Sequence, residues 1–425
     1  MRDDRITGEL VFDIQTGLGR TDIPEYDLLR MVGMGAVLAA HIKSFPDIPY
    51  EKLRLVSEHY FNIPSYALKG VVELLAEVEL VKIDRTGTTI NKITPNISVF
   101  DNVYLSIGEY SSIKGFNELE NVALEILFRL RNKPENLISL GGTLGIDPTP
   151  LSRTISIGEK GNFVRKYRAR GKDIILSPIY FADGLDALAD LAASKGLSDF
   201  ETVMRKLKSA QGWPLDLLLA NSKLAGVDVS REERDLILKL VQENVIKPPS
   251  LSTPSGDLRF LFTPAPGQGR LNATNRLIYE RAMNLVSAVR KGQLLPARIR
   301  IRSPYAILRS LRDTGYLRPS TEAHLQYGTL VSLKVAVLEE TTPGWHRLRL
   351  VQTQENIEAI NMALAMLRTG DPGSIEIDRD AVIALESDES YVESVVSAAQ
   401  FRERSTHVLD PEATKIFNNL LLESD

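Results

Sequence analysis

Cysteine is missing from this chain altogether. That absence removes disulfides, thiolate metal sites and a thiol nucleophile, and it suits a reducing, cytoplasmic setting. Long uncharged apolar runs are missing too. The nearest, MVGMGAVLAAHI at 31–42, reads as a buried helix, so no membrane span is expected. The opening MRDDRITGEL lacks the apolar core of a signal peptide. Neither sign of charge dominates: Lys and Arg number 51 against 55 Asp and Glu, a net charge of -4. Such a balance argues against a protein coated in nucleic acid along its length, but it leaves room for local basic faces.

Catalytic signatures are equally scarce. The five histidines are His41, His59, His324, His346 and His407, and no two stand at metal-ligand spacing. There is no G-x-x-x-x-G-K-[ST] loop for phosphate. The glycines of GMGAVLA (33–39) lie inside an apolar helical stretch with no strand before it, which points to close packing and not to a dinucleotide. No nucleophile elbow and no carboxylate pair with a neighbouring lysine stands out. No enzyme activity, cofactor or metal is therefore expected.

What the chain does contain is a repeat. Its 425 residues imply two to four domains. Four segments share one layout, an apolar-periodic helix, a short turn, a Ser or Thr opening a second helix, then an apolar pair and a Lys or Arg. The opening and closing residues are Ser65 and Lys82, Thr149 and Arg165, Ser230 and Lys247, and Ser303 and Arg318, always fifteen to seventeen residues apart. Thr149-Pro150 and Ser303-Pro304 have the form of a cap followed by proline at the first helical position. Ser230 and Glu233 have capping-box spacing, and Gly161 and Gly315 suit a left-handed residue closing a helix. Hairpin-like text follows the first three: TTINKITPNISVF, FVRKYRARGKDIILSPIYF with a Gly-Lys turn at 171–172 inside it, and STPSGDLRFLF.

Helix, turn, helix and a two-stranded wing describe a winged helix. The segment LGIDPTPLSRTISIGEKGNFVRKYRARGKD resembles the helix-turn-helix and wing of MarR-type winged-helix proteins, over roughly residues 120–180. The resemblance implies a fold and a mode of contact, with a recognition helix in a groove and a wing beside it. The other three segments match in pattern only, and Pro296 interrupts the fourth. The expected fold is mainly α with small β wings (α+β), as tandem winged-helix units joined by connecting helices. The expected divisions are 1–100 (an N-terminal helical region and unit 1), 101–197 (unit 2), 198–264 (unit 3), 273–370 (unit 4, with a hairpin near TTPGWHRLRLV and a helix near 353–368) and an acidic 371–425. TPAPGQGRLNA (263–273) reads as a linker.

Charge is unevenly spread over these units. Between Asp147 and Lys172 stand Arg153, Lys160, Arg165, Lys166, Arg168, Arg170 and Lys172, against only Asp147 and Glu159. Leu151 and Ile155, four apart, would face a core, leaving Ser152, Arg153 and Ser156 toward solvent. A recognition helix meets the major groove with such a face. Arg165, Lys166, Arg168 and Arg170 would lie on the wing with Tyr167 among them, beside phosphates.

A second basic run holds Arg290, Lys291, Arg298, Arg300, Arg302, Arg309, Arg312 and Arg318, with Asp313 its one acid. As a strand, ARIRIRS would put Arg298, Arg300 and Arg302 on one face. That run suits either DNA or the acidic stretch 371–393. Carboxylates at Glu73, Glu77 and Glu79 and at Glu232, Glu233 and Asp235 would repel phosphates from units 1 and 3. Two readings stay open. One is a DNA-binding protein acting on double-stranded DNA, as a regulator, a replication or partition factor, or the recognition subunit of a mobile-element or defence complex. The other is a winged-helix adaptor in a multisubunit complex, with a protein partner or a second copy of itself.

Overall fold

A computed structural model describes residues 2–370 except 44, 98–99, 195–196, 254–255, 268–272 and 297, together with residue 385. Apart from residue 385, the acidic 371–425 falls outside it, as does part of the 263–273 linker. Helices predominate, with small antiparallel sheets, an α+β chain. Among the described residues no helix is long and apolar enough to cross a membrane.

Contacts divide the described residues into two compact bodies, the smaller taking residues 34–103 and the larger residues 2–33 and 104–370. The first helices are α1 (Asp4–Leu18) and α2 (Asp27–Ile42). The smaller body continues with β1 (Ile48–Pro49), α3 (Tyr50–Tyr60), α4 (Ser65–Glu77), β2 (Val81–Thr86) and β3 (Thr89–Pro95), in a sheet of order β1-β3-β2. Leu68, Val71, Val72 and Leu75 are fully buried at helical spacing, on the helix that packs against α3 and β2. Ser65 does not cap α4. Pro64 holds the N-cap position, and the Ser65 hydroxyl donates to Glu58.

The larger body opens with α1, then α5 (Phe100–Lys114), α6 (Glu118–Leu130), β4 (Glu135–Asn136), α7 (Leu137–Leu144), α8 (Pro148–Lys160), β5 (Arg165–Ala169), β6 (Lys172–Leu176) and α9 (Leu185–Ser194). A capping box between Asn117 and Glu120 starts α6, and Glu120 also accepts from the Leu29 amide at 2.8 Å. Gly145, at φ 62, ends α7. The two-residue turn Arg170-Gly171 (φ 48 and 77) joins β5 to β6 with both residues left-handed, which matches the twist of a tight hairpin.

Two local expectations fail around α8. Its N-cap is Asp147 with Pro148 at the first position, so Thr149 lies inside the helix. Gly161 is not left-handed (φ -81); Asn162 is (φ 52). Glycine at 161 answers a different need, because a Cβ there would lie 2.5 Å from Leu18 Cδ2 and 3.1 Å from Phe163 Cδ1. The end of α1 plugs this corner. Glycines also let α1 meet its neighbours closely: a Cβ on Gly8 would be 2.1 Å from the Tyr104 carbonyl oxygen, and one on Gly33 would be 2.7 Å from Gln15 Cβ. The glycine-rich stretch 33–39 thus serves packing at Gly33.

The next block is α10 (Leu197–Ser209), β7 (Trp213–Pro214), α11 (Leu215–Asn221), a two-residue hairpin of β8 (Lys223–Leu224) and β9 (Val227–Asp228), α12 (Arg231–Gln242), β10 (Ser250–Thr253) and β11 (Gly256–Leu261). Ser230 and Glu233 form the expected capping box, and Lys206 Nζ reaches Glu233 at 2.6 Å. One arrangement therefore occurs three times. A two-residue strand precedes the second helix and pairs with the last strand of the hairpin, giving the orders β1-β3-β2, β4-β6-β5 and β10-β11-β7.

The remaining elements are α13 (Ala273–Gln293), α14 (Pro304–Thr314), α15 (Ala323–Ser332), β12 (Ala336–Thr342), β13 (Trp345–Leu350) and α16 (Gln354–Thr369). The hairpin and the helix expected near 353–368 are present. Ser303 caps α14 by accepting from the Ala306 amide, and Gly315 ends it at φ 77. The layout then departs from the other three. Residues 316–320 run extended beside β13 through bridges Tyr316–Arg349 and Ser320–His346, and only one helix follows before the hairpin. Leu317, buried and donating its amide to the Leu348 carbonyl, holds this stretch flat. Nor is the described part of ARIRIRS a strand. The amides of Ile299 and Arg300 turn back to the Pro296 carbonyl, and Ile301 packs against Gly292. One core joins this segment to the preceding block, running from Phe260 and Phe262 through Val286 and Val289 to Ile360 and Ala363.

Candidate nucleic-acid interface

The outward face of α8 follows from its period. Leu151, Thr154, Ile155, Ile157 and Gly158 are buried, so Ser152 and Arg153 are exposed and Ser156 is half-buried. Pro148, Thr149, Ser152, Arg153 and Ser156 line a shallow concavity there. Lys160 is exposed at the end of the helix.

Alternation along β5 divides the hairpin cations between its faces. Lys166 and Arg168 share one, Arg165 and half-buried Tyr167 the other, so the four cations expected beside phosphates do not form a single row. Register sets Lys166 opposite Ile175, Tyr167 opposite Ile174 and Arg168 opposite Asp173.

Intramolecular carboxylates engage three of the seven cations. Arg153 donates through Nε to Glu25 Oε1 at 2.9 Å, and its Nη2 meets the same oxygen. Arg168 Nη1 lies 2.7 Å from Asp173 Oδ1. Arg170 grips Asp190 with two parallel bonds of 2.8 Å. The Arg153 hydrogen bond holds Glu25 below the usual carboxylate range; Arg168 does the same for Asp173, and Arg170 for Asp190. Lys172 donates to the Ala193 carbonyl at 3.0 Å, and Arg165 reaches Asn162 Oδ1 at 3.3 Å. Among the described residues, Lys160 and Lys166 enter no ion pair. All of these groups are exposed, so solvent and salt screen each pair.

The second basic run lies on other elements. Arg298 is exposed and paired with Glu322 at 3.1 Å. Arg300 and Arg302 are exposed on the turn before α14. Arg309 and Arg312 both reach Asp313, at 3.4 and 2.7 Å, and Arg312 approaches Asn361 at 3.5 Å. The described residues 298–302 form no strand, so Arg298, Arg300 and Arg302 do not share one strand face.

Sequence spacing gave no sign of Glu25 or Asp190 as partners. It also missed the pair His324 and His346, whose rings meet edge-on at 4.5 Å. Among the described residues no three His, Asp or Glu side chains gather as a metal site. No family model matches the chain, and no curated protein matches it either.

Proposed function

We propose that the chain is a non-enzymatic, cytoplasmic DNA-binding protein built from tandem winged-helix units, with α8 and the β5–β6 hairpin as the principal contact to double-stranded DNA. One observation carries this reading. Ser152, Arg153 and Ser156 border the concave face of the third helix in its unit, while Lys160 and Lys166 stand exposed beside it, in no ion pair within 4 Å among the described residues. In such a unit the helix reads base edges, and the hairpin cations hold phosphates.

A salt titration of duplex binding by fluorescence anisotropy tests it. Lys160→Ala with Lys166→Ala should weaken binding to all sequences and reduce the slope of log K against log salt by about 1.8. Binding identical to wild type across the titration would overturn the assignment.

A second reading is a winged-helix adaptor that docks a protein partner or another copy of itself. The three Arg–carboxylate pairs favour it, because they neutralise cations that a DNA reader leaves open. No measurable duplex binding at about 50 mM salt, where phosphate contacts are strongest, would select it.

A further inference from the structure

The hairpin of the last segment carries a different surface. Along β13, His346, Leu348 and Leu350 point inward, the two leucines fully buried. Strand alternation then puts Trp345, Arg347 and Arg349 on the outer face. The extended stretch beside it contributes Tyr316, bridged to Arg349, and Arg318 at the next outward position past buried Leu317. From β12 comes Glu339, opposite Arg347. Tyr316 and Trp345 are 49% and 48% exposed, unusually open for large aromatics on a packed hairpin. The Arg347 guanidinium lies over the Tyr316 ring, 5.2 Å from its centroid.

We propose that this face binds single-stranded nucleic acid by stacking unpaired bases on Tyr316 and Trp345, with Arg347, Arg349 and Arg318 along the backbone. Three features select that occupant. Three arginines face one carboxylate, Glu339, so the face is positive. Its large apolar surface is aromatic, the kind that stacks on any base regardless of sequence. Trp345 and Arg349 are four residues apart on one strand, about 14 Å, so stacking and charge follow one line as a nucleotide chain requires. Glu339 holds Arg347 at 3.0 Å and also bonds Arg349, fixing both guanidinium planes in place. Beneath them the His346 ring meets that of His324 of α15 edge-on. A duplex keeps its bases stacked inside and offers this face only phosphate. The inference is independent of the duplex reading, since it concerns other residues on another segment.

Tryptophan fluorescence supplies the test. The chain has two tryptophans, Trp213 and Trp345, and the indole nitrogen of Trp213 is buried. Titration with a short oligothymidylate should quench Trp345 saturably, and Trp345→Ala should abolish the quench. Binding of a fluorescently labelled strand should fall about 10- to 100-fold in Trp345→Ala and in Tyr316→Ala, while Trp345→Phe, which still stacks, stays near wild type. Both side chains are exposed, so a circular dichroism melt should show the variants folded. Lys160→Ala with Lys166→Ala should leave this titration unchanged, which separates failure here from failure of the duplex site. No quench, with Trp345→Ala binding the strand as wild type does, overturns the proposal. So does equal competition by duplex. A change in oligomeric state in Trp345→Ala with no change in strand binding would assign the face to protein contact and overturn it as well.

Discussion

Arg153 and Glu25 meet in an ion pair although 128 residues separate them in the chain. The guanidinium expected to read a base edge is thereby held by a carboxylate from the loop before α2. In the proposed complex Glu25 competes with DNA for that side chain. Glu25→Gln should raise duplex affinity several-fold, and Arg153→Ala should lower it and relax sequence preference by about 1–3 kcal/mol at one base pair. The double variant should behave as Arg153→Ala alone. Anisotropy with cognate-enriched and random duplexes checks all three, and affinity unchanged by Glu25→Gln would dismiss the competition.

Acid should loosen the hairpin. Glu25, Asp173 and Asp190 are all held below the ordinary carboxylate range by their arginines. For a depressed carboxylate the stabilisation is complete above the unfolded pKa of about 4 and fades as pH falls through the lower folded value. Thermal melts should be insensitive to these pairs from pH 7 to about 5 and should lose midpoint below about pH 4. Asp173→Asn with Asp190→Asn should flatten that acid limb. An unaltered limb in the variant would show that other carboxylates control it.

An added carbon would crowd the corner between α8 and β5. Gly161→Ala keeps an allowed backbone angle but drives a Cβ to 2.5 Å from Leu18 Cδ2, so it should cost about 1–3 kcal/mol. Leu18→Ala alone should cost about 2–5 kcal/mol through its cavity. Together they should cost less than their sum, measured by urea unfolding as a double-mutant cycle. Strict additivity would mean that the two sites do not touch.

Asp13 is 1% exposed and accepts the Tyr180 hydroxyl proton at 2.7 Å. Tyr180→Phe keeps the ring and removes that donor to a buried carboxylate, at about 1–3 kcal/mol. Chemical denaturation measures it, and a loss under about 0.5 kcal/mol would show that the hydroxyl matters little there.

Local signals in the sequence transferred well where they were complete in themselves. Ser230 with Glu233 caps α12, and Leu151 with Ile155 faces inward. The hairpin turn falls one residue earlier than the expected Gly171-Lys172, at Arg170-Gly171, because Lys172 pairs within β6. Ambiguity arose where two local solutions compete. In DPTP either Asp147-Pro148 or Thr149-Pro150 can open a helix, and the earlier pair does. ARIRIRS alternates like a strand, but the buried Ile301 and the turn at Pro296 dominate it. The Glu25 and Asp190 partners belong to tertiary packing, which no spacing encodes. Arg347 over Tyr316 was hidden for the same reason: the two meet only because residues 316–320 lie alongside β13.

The seat of Leu18 beneath Gly161 has a further consequence. A fragment cut at the repeat boundaries, say 118–176, would keep every strand and helix of its motif yet leave Phe163 facing an empty notch. Transplanting this module into another protein, or shuffling it within this one, therefore means carrying α1 with it. The exchangeable piece is the motif plus a helix lent from a hundred residues upstream.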